Sequence, residues 1–175
     1  MDPDFEALAK KSFVKLPPPP EWVAAEAAGV WTADELKAAF ARATDTPPAV
    51  NHVRSEFLLP GAEWVRGYRA WFSKLERPLK LRFEGDQWDC DNYASCFVTF
   101  ADLLALRAGE NRGTLAVGWA TVFYRHPFAG IEAGGAHAVV VVATSEGLFV
   151  IEPQDGTMTR LESFPNRDTI EAVYF

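Results

Sequence analysis

The sequence predicts an α+β fold, with a helical N-terminal half followed by a run of antiparallel strands. Apolar residues recur every three or four positions in the first part of the chain and every second position from Leu115 onward. The chain has 175 residues, of which 49% are hydrophobic and 23% charged. This length and balance suit one globular domain that removes roughly 70% of its unfolded surface from water.

Four consecutive prolines at residues 17–20 divide the chain near its start. Proline lacks an amide donor and favours the extended polyproline conformation, so this run separates a short arm from the rest. We therefore expect an N-terminal arm and proline linker at residues 1–20 and one domain at residues 21–175. The proline run is either a stiff surface connector or a ligand for a proline-binding module.

Two helices are predicted in the N-terminal half. Thr32 and Glu35 have the spacing of a capping box, which predicts a helix over residues 33–43. Residues 62–76 place six apolar side chains, most of them aromatic, on one helical face. An aromatic stripe of this kind is typical of a core, so we expect it to pack against the next helix.

A third helix is predicted to begin near Asp89 or Cys90 and to end before Gly109, a good C-terminal stop. Beyond it the composition changes to Val, Trp, Phe and Tyr, which favour strands. The predicted strands cover residues 114–125, 136–144 and 148–153, with shorter ones near 157–161 and 172–175. Together they predict an antiparallel sheet with the Cys90 helix packed on it.

Charge and hydropathy exclude several kinds of partner. The net charge is −7, with 17 basic against 24 acidic residues, so the chain lacks the basic surface that nucleic acid requires. The N-terminus is acidic, unlike a signal peptide, and no apolar run approaches the ~20 residues that span a bilayer. We expect a soluble protein made in the cytoplasm, although a virion component or a protein acting in a host cytoplasm would have the same features. The oligomeric state is left open.

The two cysteines, Cys90 and Cys96, are six residues apart. On one helix this spacing turns them about 240° apart, which is too divergent for a disulfide and does not aim both sulfurs at one metal ion. The sequence also lacks the glycine-rich motifs of nucleotide-binding loops. We therefore expect no disulfide, no metal and no cofactor.

Cys90 is the candidate nucleophile because it lies at a predicted helix start. Unpaired amides and the helix dipole favour a thiolate at that position, whereas the neighbouring Asp89 and Asp91 oppose it. Asp89 fits the N-cap, with its carboxylate bonded to first-turn amides. A positively charged partner is then needed, and without one Cys90 is a small packing residue.

The partner is predicted to be His137, at the mouth of the valine-rich strand, although it would also fit as a hydrogen-bonded core histidine. Glu152, at the end of the next strand, would orient the imidazole, with Gln154 as the competing orienter. A two- or four-residue turn puts these three side chains on one face, whereas a three-residue turn separates them. Gln87 and the Cys90 amide would stabilise an oxyanion.

The order Cys, His, Glu on a helix and two adjacent strands resembles the papain-like and transglutaminase-like cysteine hydrolase superfamily. It is most similar to bacterial transglutaminase-like cysteine proteinases and related phage-encoded proteins. The segments that carry the resemblance are residues 89–94, 135–139 and 150–154. The resemblance implies a thiol protease or peptidase-like hydrolase with Cys90, His137 and Glu152 as its triad.

Two hypotheses about function follow. The first is a thiol-dependent hydrolase or acyl transferase acting on an amide, isopeptide or related acyl bond of a protein, peptide or peptidoglycan-like substrate. The second is a catalytically inactive binding or structural module on the same fold, such as a phage component or an inhibitor of a host system. The acidic surroundings of Cys90 and a glutamate as third residue favour the second.

Overall fold

The computed structural model describes residues 18–21, 29–52, 54–75, 89–110 and 113–175. The helices are α1 (Ala33–Ala43), α2 (Ala62–Phe72) and α3 (Cys90–Arg107), and short 3-10 turns span Leu161–Ser163 and Arg167–Thr169. The strands are β1 (Gly29–Thr32), β2 (Ala49–Asn51), β3 (Glu56–Leu59), β4 (Thr114–Leu115), β5 (Val117–Phe123), β6 (Ala136–Thr144), β7 (Gly147–Ile151), β8 (Met158–Arg160) and β9 (Ile170–Tyr174). The predicted N-terminal arm lies mostly outside the described residues, and the division into arm and domain stays a prediction.

The predicted fold class is wrong, because the described part of the chain is mainly β sheet with three helices and its N-terminal half is not helical. Strands β1, β2 and β3 alternate there with α1 and α2. The pairing is also mixed, since β2 runs parallel to β9 and β3 runs parallel to β4. These short strands are defined by distant partners, which a local period in the sequence does not reveal.

Nine strands form two sheets in the described residues. The smaller sheet has the order β1-β3-β4, and the larger has the order β2-β9-β5-β6-β7-β8. The larger sheet is antiparallel except at the β2 edge. Alternate residues of β6 enter two different apolar clusters, Val139 and Val141 on one face and Val140 and Val142 on the other. The sheet is therefore covered on both faces, by α1 on one and by α2 and α3 on the other.

The start of α1 and the packing of α2 confirm two predictions. Thr32 and Glu35 form a reciprocal capping box at the start of α1. The aromatic face of α2 packs on α3, where the Tyr68 ring meets the Phe97 ring at 4.7 Å and the Tyr68 hydroxyl donates to the Phe97 carbonyl at 2.6 Å. Helices α2 and α3 thus form one wall of the domain and fix where Cys90 lies.

Candidate functional site

Cys90 is the first residue of α3, at the helix start that the sequence predicts. Asp89 is the N-cap, as expected, and accepts from the Asn92 amide at 3.4 Å. The Asn92 side chain accepts in return from the Asp89 amide at 3.2 Å. This capping box holds the first turn and places the half-buried thiol of Cys90 at the positive end of the helix dipole.

The carboxyl groups of Asp89 and Asp91 interact with each other beside the thiol. A hydrogen bond from the Asp91 side chain lowers the pKa of Asp89, and the same bond raises the pKa of Asp91. One carboxylate therefore keeps its charge for capping while the other takes up a proton more readily.

His137 and Glu152 lie side by side on the β6–β7 hairpin. Ala143 is paired with Leu148, which is the register that the predicted four-residue turn over residues 144–147 gives. Thr144 and Gly147 are paired as well. His137 and Glu152 therefore share a face. The His137 Nε2 atom lies 2.7 Å from the Glu152 Oε2 atom, and the two side chains are only 9% and 1% exposed.

The His137 imidazole is held in its charged form. Burial lowers its pKa, but hydrogen bonds to Cys90 and Glu152, together with their negative charges, outweigh burial and raise the pKa to about 9. Because Nε2 is engaged with Glu152, Nδ1 is the ring atom left for the Cys90 thiol. The imidazole thus lies between the Glu152 carboxyl group and the Cys90 sulfur.

Glu152 is fixed by the turn that follows β7. Its Oε1 atom accepts from the Gln154 amide at 3.1 Å, and its own backbone amide and carbonyl bond to Thr157 and Gly156. The Arg69 guanidinium of α2 donates to the Gly156 carbonyl and ties this turn to the helical wall. Gln154 thus acts through its backbone, and Glu152 is the side chain that meets the imidazole.

Three of the predicted site residues, Cys90, His137 and Glu152, come together, and Gln154 supports them. Gln87, the predicted oxyanion donor, lies outside the described residues. Cys96 packs against the apolar cluster that contains Val140 and Val142, and burial raises the pKa of its thiol. Both cysteines are free. The catalytic roles assigned to these residues stay predictions.

The structure adds Tyr124 to the site, a residue that the sequence analysis did not single out. Its ring meets the His137 ring edge to face at 5.0 Å. Its hydroxyl is buried and has no hydrogen-bond partner among the described residues. Burial raises the Tyr124 pKa, and the charges of Glu152, Cys90 and Asp155 raise it further, so the hydroxyl remains a proton donor. Ala120 and Val122 lie on the same face of β5 as His137 on its neighbouring strand. Extending this period of two by one step along the sequence would have placed the Tyr124 ring on that face too.

The described residues contain no cluster suited to a metal ion, because no three of their His, Cys, Asp or Glu side chains come together. None of the helices in these parts of the chain is long and apolar enough to cross a bilayer.

Comparisons with known proteins find similarity in structure. No family model matches the chain, and no curated protein matches it. A solved structure titled "PSL1a-E64 complex" is similar with a TM-score of 0.63 and 15% identity, over 83% of this chain and 50% of that chain. A Polyporus squamosus lectin bound to the human-type influenza-binding epitope Neu5Acα2-6Galβ1-4GlcNAc is similar with a TM-score of 0.56 and 18% identity, over 83% of this chain and 49% of that one.

These comparisons correct the predicted family and function. No family model or curated protein supports a papain-like or transglutaminase-like cysteine hydrolase, and a solved structure that shares the fold is a lectin. The predicted thiol hydrolase or acyl transferase and its protein, peptide or peptidoglycan-like substrate are wrong on this finding, and so are the protease and phage assignments. The binding-module alternative agrees better with it. The chain shares a fold with each of the two solved chains named above and spans about half of their length.

Proposed function

We propose that this chain is a ligand-binding module and that Cys90, His137 and Glu152 form a ligand site in it. The observation that carries the proposal is the buried 2.7 Å pair of His137 and Glu152 beside a half-buried thiol. Such a pair is costly to assemble unless the surrounding chain fixes it. Here the capping box, the turn after β7 and the Arg69 contact fix it without a ligand.

The site offers a ligand three kinds of group. The Cys90 thiol is a soft nucleophile and acceptor, the His137 imidazolium is a donor, and the Cys90 backbone amide at the start of α3 would be a further donor. Because these groups are preorganised, binding does not need to order them. A small polar ligand that meets the thiol is the kind that the arrangement suits.

E64 is the probe for this site, because one of the structures that share the fold is titled as a complex with it. We expect E64 to raise the melting temperature of the wild-type protein and to protect Cys90 from alkylation by iodoacetamide, read by peptide mass spectrometry. Cys90→Ala should abolish the shift. Cys96→Ala is the matched control and should keep it, since burial raises the pKa of that thiol.

Two results would overturn this proposal. One is an E64-induced shift in Cys90→Ala equal to that of the wild type, which would place the ligand elsewhere. The other is hydrolysis of an amide or peptide substrate that disappears in Cys90→Ala, which would make the site catalytic rather than a binding site.

Glycan binding is a second candidate function, favoured by the fold shared with a lectin bound to Neu5Acα2-6Galβ1-4GlcNAc. The described surroundings of Cys90 are a poor place for a sugar ring, because the adjacent aromatic ring, Tyr124, is fully buried. A glycan would therefore use another surface of the module. Calorimetric titration with the trisaccharide, and with the disaccharide Galβ1-4GlcNAc, tests this function, and no heat of binding with either would refute it.

The remaining sequence expectations are kept as proposals. Gln87 would reach the same ligand as the Cys90 amide, residues 1–20 would form an arm on the domain at residues 21–175, and the protein would be made in the cytoplasm, with action in a virion or a host cytoplasm left open. Free thiols at Cys90 and Cys96 support a reducing compartment. A disulfide on either cysteine in protein isolated from cells would contradict the cytoplasmic location.

A further inference from the structure

Three aromatic side chains lie on the face of the larger sheet that α2 and α3 cover in part. Trp119 and Tyr174 are directly opposite each other on β5 and β9, with ring centroids 4.5 Å apart and planes at 22°. Phe123 follows on the same face of β5 and is 42% exposed, and Tyr174 is 37% exposed. We call Trp119, Phe123 and Tyr174 the aromatic platform.

The platform lies on the sheet face opposite to His137. Val122 on β5 is paired with His137 on β6 and enters the apolar cluster that contains Val139 and Val141. Trp119 on β5 packs against the other cluster, which contains Val140 and Val142. Residues that alternate along a strand point to opposite faces, so Trp119 and Phe123 point away from the His137 side. The platform and His137 thus lie on opposite faces of the sheet, whereas Cys90, like Trp119, packs against the cluster that contains Val140 and Val142.

We propose that the aromatic platform is the surface on which this module holds a glycan, an inference that rests on the proposed glycan binding. A sugar ring has apolar C–H groups on its faces and hydroxyls around its rim. The C–H groups make favourable contacts with the face of an aromatic ring. Stacking on Trp119 uses one face of Tyr174, which leaves its exposed side for such a contact.

Polar groups for the sugar hydroxyls lie next to the rings. Asn51 on β2 is opposite Tyr174 and exposed, and Thr121 on β5 is half-buried between Trp119 and Phe123. An amide and a hydroxyl can each donate to and accept from a sugar hydroxyl. The platform thus combines apolar rings with polar neighbours at the spacing of adjacent strands.

Size and charge select a glycan over other occupants. A stable protein interface buries about 800 Å² on each partner. An aromatic ring buries about 150–250 Å² at most, and the three rings here are only partly exposed, so the platform offers much less area than that. A nucleic acid would also stack on aromatic rings, but the net charge of −7 repels its phosphates. A neutral mono- or disaccharide fits both limits.

The experiment is a titration of the full chain with the neutral disaccharide Galβ1-4GlcNAc, and the trisaccharide named above, which carries the Neu5Ac carboxylate, is titrated for comparison. We expect Tyr174→Ala to raise the Kd about threefold to tenfold, the loss expected for one aromatic contact. Phe123→Ser should act in the same direction. Leu106→Ala is the matched control, because Leu106 is an exposed apolar residue on α3 away from the platform, and it should leave the Kd unchanged. At the partly buried Trp119, the variant Trp119→Phe is used rather than removal of the whole ring, so that the protein still folds.

Backbone amide shifts in NMR spectra of the wild type give an independent readout. Glycan should shift the signals of Asn51, Thr121 and Tyr174 and leave those of α1, on the other face of the sheet, unchanged. If the wild type binds glycan but Tyr174→Ala and Phe123→Ser bind equally well, the platform is overturned and the glycan-binding function survives. If the wild type binds neither glycan, glycan binding itself is overturned, and the platform with it.

Discussion

The charged state of His137 should make the stability of the protein fall at high pH. The pKa of His137 rises from 6.5 to about 9 on folding, so the folded state binds the proton more tightly than the unfolded state. The stabilisation is fully present below pH 6.5 and is lost as the pH rises through about 9. A shift of this size corresponds to about 3 kcal/mol, which solvent at the partly exposed side of the site reduces to about 2 kcal/mol.

The measurement is urea unfolding of the wild type and of Glu152→Gln at intervals between pH 6 and pH 10. Other groups titrate in both proteins, so the difference in unfolding free energy isolates the pair. We expect the wild type to lose about 1 kcal/mol relative to Glu152→Gln across this range, because the variant lacks the carboxylate that favours the imidazolium but keeps the contribution of Cys90. NMR titration of the His137 ring should give a pKa near 9, and Cys90→Ala should lower it. A constant difference between the two proteins, or a His137 pKa at or below 6.5, would refute this account of the site.

Other substitutions test the frame around the site. Trp71→Ala should lower the unfolding free energy by about 3–5 kcal/mol in denaturant titrations, because Trp71 is buried where α2 meets α3, and full stability would show that α2 is peripheral. Thr32→Ala should cost about 1 kcal/mol through loss of the α1 capping box, with Thr99→Ala, on the exposed side of α3, as the control. Gly118→Ala should cost about 1–3 kcal/mol, because a Cβ there would collide with the Tyr174 carbonyl and the Phe175 ring, and a neutral result would mean that β9 moves freely against β5.

Local signals predicted the helices and the long hairpin well. The capping residues Thr32 and Asp89 each start a helix where the sequence places one. The valine run from Val139 to Val142 forms the centre of β6, and its turn has a register that the sequence allowed. These features depend on residues close together in the chain, which is why the sequence reveals them.

Pairing between distant segments could not be predicted in the same way. Strand β3 pairs with β4 across more than fifty residues, and β2 pairs with β9 across more than a hundred. Strands β2, β3 and β4 have four residues or fewer, and β9 has only five, too short for a clear alternation. The predicted α+β class was therefore wrong in its N-terminal half. In the site, Cys90, His137 and Glu152 followed from local pattern, whereas Tyr124 depended on where β5 ends.

The position of β9 has a consequence for how the protein is made. Strand β9 lies between β2 and β5 in the larger sheet, so β2 has no partner until Ile170–Tyr174 has been synthesised. A ribosome-bound chain that stops after β8 would expose the edges of both β2 and β5, and unpaired edges are prone to aggregation. Since β5 also carries two rings of the aromatic platform and β9 the third, that surface exists only once synthesis has passed residue 174. The larger sheet therefore cannot be completed before β9 has been synthesised, and its closure should be slow, as is typical of strands paired across long stretches of chain.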